Sequence, residues 1–176
     1  MKVLVISGSP RMGGNSDVLC DQFIKGAKEA GHETEKINLG KKKLNPCFAC
    51  YACRNGSGCV QKDDMTEILE KLVLADIIVL ATPIYFYSMD AQMKMFIDRC
   101  LPRYREIKNK DFYFIITAAD PQHESTDETM IGFRGYTRCL PGANEKGIIY
   151  GNGAWEKGDI LGLPVMQEAY EMGKSI

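Results

Sequence analysis

Four cysteines crowd one short stretch of the chain at spacings that suit a metal centre. They are Cys47, Cys50, Cys53 and Cys59. Gaps of two residues let successive sulfurs turn inward on one centre, and four thiolates complete the ligand set of a [4Fe-4S] cluster. The same four thiolates could hold a structural zinc ion, or the thiols could carry no metal. This segment therefore predicts metal or redox chemistry and leaves its occupant open.

The other three cysteines, Cys20, Cys100 and Cys139, are scattered and are expected to be core or surface residues. Seven cysteines is an odd number, and 176 residues are enough to bury a core without disulfides. The thiols are therefore expected to be reduced, and the chain to be cytoplasmic.

A second chemical feature is the glycine- and serine-rich segment between an apolar run, Val3 to Ile6, and a predicted helix. Free backbone N–H groups and the dipole at a helix start favour an anion. Hydroxyl and amide side chains can donate to phosphate oxygens, an arginine adds a charged donor, and paired glycines allow close approach. The predicted phosphate ligands are Ser9, Arg11, Gly13, Gly14, Asn15 and Ser16.

The segment lacks the lysine of a P-loop and the spaced glycines of a dinucleotide motif. It therefore favours a single phosphate monoester, although an ordinary turn and helix cap would have a similar composition.

An aromatic segment follows another predicted strand. Thr82 and Pro83 precede Tyr85, Phe86 and Tyr87, which offer an apolar wall for a planar ring. The same loop could instead be covered by a neighbouring subunit.

The elements that must position these segments alternate between short apolar runs and helical patterns along the whole chain. This alternation predicts one α/β domain, residues 1–176, with a doubly wound five-stranded parallel sheet of order 2-1-3-4-5. The cysteine segment falls in the loop after strand 2. Ligands bind such sheets at the carboxyl ends of the strands, so the loops after Ile6, Ala81 and Ile116 should share one site.

Several of these motifs resemble one known family. Gly8 to Ser16, Thr82 to Ser88, and Gln92 to Arg99 resemble the flavodoxin-like NADPH-dependent FMN reductase family. The resemblance implies that the first segment binds the FMN phosphate, that the second lies along the flavin ring, and that a third loop follows strand 4. The flavin contacts so implied beyond the phosphate loop are Pro83, Ile84, Tyr85, Phe86, Thr117 and Asp120.

The cysteine segment is similar to that of the iron-sulfur flavoproteins, a branch of the same group. In that branch the cysteines hold a [4Fe-4S] cluster near the FMN. The resemblance also implies a homodimer or homotetramer and NAD(P)H as electron donor.

Charge and hydropathy exclude other functions. The chain has 22 basic and 23 acidic residues, which gives no global field for nucleic acid or an anionic membrane. Its longest apolar stretch, around Ile77 to Phe86, is shorter than a transmembrane helix needs. We therefore expect no nucleic-acid or membrane partner. The family resemblance implies a small-molecule electron acceptor or a ferredoxin-like protein as partner instead.

The first functional hypothesis is a flavin-dependent oxidoreductase in which FMN carries the chemistry and no separate catalytic residue is required. A flavodoxin-type electron carrier without small-substrate turnover is the alternative, and a metal-stabilised interaction module is a third.

Overall fold

The computed structural model describes residues 1–176 and contains a central sheet with helices on both faces. The strands are β1 Lys2–Ser7, β2 Glu33–Asn38, β3 Ile77–Tyr85, β4 Ser88–Met89, β5 Asp111–Ala118 and β6 Asn144–Asn152. The α-helices are α1 Asn15–Glu29, α2 Met65–Leu74, α3 Ala91–Asp98, α4 Asp127–Thr137 and α5 Val165–Lys174.

Five strands are parallel and lie in the order β2-β1-β3-β5-β6, which confirms the predicted 2-1-3-4-5 arrangement. The two-residue β4 was not predicted; it pairs antiparallel with the end of β3. The Thr82-Pro83 pair after the apolar run predicts a strand end at that point, which is wrong, because β3 continues to Tyr85. Beyond Ala81, β3 no longer pairs with β1, so the missing N–H of Pro83 leaves no ladder bond unmade on that side.

Two apolar layers flank the sheet. One contains 22 buried residues and lies beneath α2, α3 and α4, and the other contains 15 and lies beneath α1 and α5. Leu4 and Ile6 face the first layer, while Val3 and Val5 face the second. This double coverage explains why the strands read as continuous apolar runs.

Helix α1 follows β1 after a short loop, and Gly14 occupies its N-cap position. The polar residues Asn15 and Ser16 are the N-cap candidates in the sequence, but the observed cap lies one residue before them. Because β1, β3 and β5 are neighbours, the loops that follow them meet at one edge of the sheet. None of the helices combines the length and the hydropathy needed to cross a membrane.

Candidate functional site

A cleft opens at the carboxyl ends of β1, β3 and β5, where the fold brings the three predicted loops together. It is lined by Ser9, Arg11, Gly14, Asn15, Ser16, Pro83, Ile84, Tyr85, Thr117, Ala119, Ala154 and Trp155. Nine of these residues are among the twelve flavin contacts expected from the sequence. The remaining three, Gly13, Phe86 and Asp120, lie outside the lining, whereas Ala119, Ala154 and Trp155 were not foreseen.

The start of α1 forms one end of the cleft. The backbone N–H groups of Asn15, Ser16 and Asp17 make no hydrogen bond with a protein acceptor, as expected for the first turn of a helix. Ser16 is buried, and its hydroxyl is also without a protein partner. Ser9 is also buried; its hydroxyl accepts from the backbone N–H of Arg11 at 3.2 Å and donates to the Arg11 carbonyl at 3.3 Å. This end therefore presents several donors to an anion.

Asn15 has a different task from the one expected. Its side-chain Nδ2 donates to the carbonyls of Ala154 at 3.2 Å and Glu156 at 2.9 Å, and its Oδ1 accepts from Gly158 at 3.0 Å. The amide is therefore already used to hold the segment after β6. The expectation that this side chain donates to a phosphate is corrected. Only the backbone N–H of Asn15 remains free to donate to an anion.

Asp17 and Lys36 support the loop between β1 and α1, and neither was predicted to have this role. Asp17 Oδ2 accepts from the backbone N–H of Gly13 at 2.8 Å, and Lys36 Nζ lies 3.0 Å from Asp17 Oδ1. Burial acts to lower the pKa of Lys36, but hydrogen bonds to Asp21 and Asp17 outweigh it and raise that pKa. The lysine therefore stays charged and offsets a carboxylate that would otherwise repel an anion. The feature of the sequence that could have indicated this support is the position of Asp17 in the first turn of α1.

The floor of the cleft is built around a fully buried carboxylate, Asp90. It caps α3 by accepting from Met93 N at 2.8 Å, and it accepts from the Thr82 hydroxyl at 2.8 Å. Burial raises the pKa of Asp90, although these hydrogen bonds act in the opposite direction. A Cβ added at Gly8 would collide with the Asp90 carboxylate, so the first loop can lie this close only with glycine at position 8.

The second loop is a two-residue hairpin turn with Phe86 and Tyr87 at its tip. Their φ angles are +49° and +61°, as a type I′ turn requires, although neither residue is glycine or asparagine. Phe86 is fully exposed and Tyr85 is 40% exposed. The hairpin therefore holds aromatic side chains in solvent at the mouth of the cleft, at a cost in backbone strain.

Asp120 ties the third loop to the segment after β6 and does not line the cleft. Its Oδ1 accepts from Gln122 N at 2.9 Å, and its carbonyl accepts from Asn152 Nδ2 at 3.1 Å and from Gly153 N at 3.3 Å. Thr117, by contrast, is buried and lines the cleft as expected.

The four clustered cysteines lie on a long loop between β2 and α2. All four line one small concavity beside the end of α3, together with Arg99 and Leu101. Cys47 and Cys50 are exposed, whereas Cys53 and Cys59 are partly buried. No three His, Cys, Asp or Glu side chains in the chain converge as a metal-binding group. The donor chemistry suits a cluster, but the loop does not gather the sulfurs around one point.

A buried ion pair fixes one end of this loop and was not foreseen. The Arg99 and Asp63 side chains are 1% and 5% exposed and form two hydrogen bonds, of 2.7 and 2.8 Å. Arg99 also donates to the Asn45 carbonyl at 2.7 Å and lies 3.7 Å from the Cys59 sulfur. Burial acts to raise the pKa of Asp63, but hydrogen bonds from Arg99 and from backbone N–H groups outweigh it and lower that pKa.

Helix α3 connects the two sites. It starts at the Asp90 cap in the floor of the cleft and is followed by Arg99 at the cysteine loop. Arg99 at the C-cap of α3 was the residue in the sequence that could have indicated this connection.

Comparison with known proteins identifies the family. Residues 1–133 match the model of the NADPH-dependent FMN reductase family, which covers all three cleft loops and the cysteine segment. The chain belongs to the NADPH-dependent FMN reductase family.

Several curated relatives of the chain are iron-sulfur flavoproteins, and two of them illustrate the similarity. One, from Methanocaldococcus jannaschii, is 46% identical over 102 residues, which cover 58% of this chain and 53% of that protein. Another, from Methanosarcina thermophila, is 42% identical over 113 residues, which cover 62% of this chain and 59% of that protein. The chain therefore spans little more than half the length of the curated relatives that it matches.

Solved structures agree with the flavodoxin-like fold. The Trp repressor binding protein from Bacillus subtilis is 25% identical, with a TM-score of 0.73, and the match covers 97% of this chain and 96% of that one. The NAD(P)H:quinone oxidoreductase from Methanothermobacter marburgensis is 16% identical, with a TM-score of 0.76. This match covers 99% of this chain and 96% of that one. The second likeness supports the fold alone.

Proposed function

We propose that the chain is an FMN-binding oxidoreductase that passes electrons from NAD(P)H to a small-molecule acceptor. The observation that carries this proposal is a single cleft that combines an anion-binding helix start with an aromatic, apolar mouth. A phosphate and a planar ring joined by a short polyol would fit these two ends. Membership of the NADPH-dependent FMN reductase family and the flavoproteins among its relatives support the same function.

The phosphate end is assigned to Ser9, Arg11, Gly14 and Ser16, together with the free N–H groups of the first turn of α1. The hydroxyls and N–H groups donate to phosphate oxygens, and Arg11, which is exposed, adds a charge at the rim. Gly13 contributes indirectly, since its N–H is held by Asp17.

The ring end is assigned to Pro83, Ile84, Tyr85 and Thr117. The first three form an apolar edge that excludes water from one side of the ring, and the Thr117 hydroxyl provides a polar group at the other. Phe86, at the hairpin tip, is assigned to the approach of the substrate, and Asp120 to the support of the third loop. When bound, FMN supplies the electron-transfer chemistry, so these residues bind and orient it.

The cysteine segment is proposed to hold a [4Fe-4S] cluster through Cys47, Cys50, Cys53 and Cys59. Their common concavity and their reduced, accessible thiols support this assignment, as do the names of the relatives. Gathering the sulfurs would require rearrangement of this exposed loop. With a cluster in place, a ferredoxin-like donor becomes an alternative to NAD(P)H.

An ultraviolet-visible spectrum with iron and acid-labile sulfide assays, on protein purified without oxygen, tests both assignments. Flavin bands with about four irons per chain are expected. Flavin bands without iron would remove the cluster and leave the reductase, whereas failure to take up added FMN would contradict the main proposal. Turnover of NAD(P)H with a quinone would separate an enzyme from an electron carrier.

A serine variant tests the phosphate end. Ser16→Ala removes a buried donor, and we expect FMN affinity to fall about tenfold because a hydrogen bond to a charged group is lost. Riboflavin, which lacks the phosphate, should bind both proteins equally. Equal losses for the two ligands would contradict the placement of the phosphate.

A further inference from the structure

Residues 153–158, the segment after β6, pack against the loop between β1 and α1. The sequence alone did not predict a function for this segment. We call it the tail loop. Gly153 and Gly158, with φ of +77° and +100°, stand at its two ends. Lys157 Nζ donates to the Met12 carbonyl at 2.9 Å, and Arg11 donates to the Trp155 carbonyl at 3.4 Å. The tail loop is therefore tied to the first flavin loop.

The backbone around Trp155 is held on both sides. Asn15 donates to the carbonyls of Ala154 and Glu156, which flank Trp155 in the sequence. Asp159 Oδ2 accepts from the N–H groups of Trp155 at 3.0 Å and of Glu156 at 2.7 Å. In addition, the N–H of Ala154 donates to the Ala118 carbonyl at 3.0 Å.

The Trp155 side chain, in contrast, is left in solvent. It is 70% exposed, its indole N–H has no protein acceptor, and it lines the cleft together with Tyr85. A tightly fixed backbone that carries a large exposed aromatic side chain does not serve the core. A fixed backbone with an exposed aromatic side chain is typical of a preorganised ligand contact.

We propose that Trp155 is a contact residue for the bound flavin nucleotide and that Asn15 positions it from the start of α1. This inference rests on the proposed function, since it takes FMN as the ligand of the cleft. Trp155 supplies one part of the cleft lining, and Asn15 links that part to the phosphate end. The contact is made by the indole face or by its N–H donor.

Binding of FMN to the whole apoprotein tests the contact, with flavin fluorescence as the readout. We expect Trp155→Ala to weaken the affinity about tenfold, or about 1.4 kcal/mol, within the range found for aromatic contacts to nucleobases. Trp155→Phe should retain the affinity within about threefold, because it keeps an aromatic face. Leu161→Ala is the matched control: Leu161 is 62% exposed, follows the tail loop and lies outside the cleft. Its affinity should be unchanged.

Two further readouts separate a ligand contact from a structural role. The thermal midpoint of the Trp155→Ala apoprotein should stay within about 2 °C of the parent, because an exposed side chain contributes little to stability. The absorption spectrum of bound FMN should change in Trp155→Ala but not in Leu161→Ala. A lowered midpoint together with weakened binding would indicate a structural role and overturn the inference.

A double-mutant cycle tests the positioning by Asn15. If Asn15 acts through Trp155, Asn15→Ala should weaken riboflavin as well as FMN and should add little in the Trp155→Ala background. Additive losses that affect FMN alone would show that Asn15 acts on the phosphate, and would overturn the positioning role.

The outcomes also separate this inference from the proposed function. FMN binding by the parent with no loss in Trp155→Ala would overturn the inference and leave the function standing. No FMN binding by the parent would overturn both.

Discussion

The cleft and the cysteine segment are both proposed cofactor sites, yet the fold supports them very differently. The cleft is held by buried groups from three strands and two helices, with Asp90, Thr82 and Asp17 as its polar supports. The cysteine segment has one buried anchor, the pair formed by Arg99 and Asp63, and its sulfurs lie at or near the surface. The fold therefore shapes the cleft before any ligand binds, whereas the proposed cluster would have to rearrange the cysteine loop.

Asp90 beneath the cleft and Asp63 at the cysteine loop both have buried carboxylates, and the two have opposite electrostatics. Asp90 has no cationic partner, so burial raises its pKa. Asp63 is paired with Arg99, and its pKa is lowered despite burial. The Asp90 carboxylate holds the floor of the cleft in place through its hydrogen bonds, although its burial is unfavourable. The Asp63 carboxylate is stabilised in its charged form by Arg99.

The largest effect is expected from breaking the anchor of the cysteine loop. Arg99→Leu leaves Asp63 buried without its partner, and we expect the free energy of unfolding to fall by about 3–5 kcal/mol in urea denaturation. Arg103→Leu is the matched control, because Arg103 pairs with Glu106 at the surface and should contribute about 0–1 kcal/mol. Similar losses in the two variants would mean that the buried pair is no special anchor.

A smaller loss is expected from the floor of the cleft. Gly8→Ala places a methyl group against the Asp90 carboxylate, and the resulting shift should cost about 1–3 kcal/mol and weaken FMN binding. Gly135→Ala in α4 has free space around the new methyl group and should be neutral or stabilising by up to about 1 kcal/mol. If Gly8→Ala kept the stability and the FMN affinity of the parent, the Asp90 side chain could move to make room for the methyl group, and the close contact would not constrain the cleft.

The different support of the two regions also explains what the sequence could predict. The strand order and the three cleft loops followed from apolar periodicity and turn residues, and nine of the twelve expected contacts line the cleft. The roles of Trp155, Asp90 and Arg99 were missed because they depend on contacts between residues 40 or 144 positions apart, or on burial at a helix end. The grouping of four cysteines was visible, but spacing alone does not show how the sulfurs are oriented.

The pH dependence of unfolding should distinguish the two carboxylates. The pKa of Asp63 is lower in the folded protein, so its contribution is present above the ordinary aspartate pKa of about 3.9 and is lost as pH falls below it. The pKa of Asp90 is raised, so stability is lost as pH rises through its folded value. Denaturant unfolding at a series of pH values from about 3 to 7 measures both effects. We expect Asp63→Asn to reduce the fall in the free energy of unfolding as pH decreases. Asp90→Asn should reduce the fall in the free energy of unfolding as pH increases. Identical profiles for the two variants would contradict the opposite assignments.

The smallest effects concern backbone strain, which both regions contain. Phe86 at the cleft has φ of +49°, and Ala49, next to Cys50, has φ of +52°. Replacing either residue by glycine should relieve about 1–2 kcal/mol of strain and cost about 0.5–1 kcal/mol of chain entropy, a net gain of about 0.5–1 kcal/mol in unfolding experiments. If the strain serves the cofactor sites, Ala49→Gly should lower iron content and leave flavin binding unchanged, while Phe86→Gly should slow turnover with an acceptor and leave iron unchanged. Each variant is the control for the other, because each relieves the same strain in the opposite region. A loss of iron in both variants would mean that the cysteine loop depends on the cleft through α3, and that the two regions are less independent than their contacts indicate.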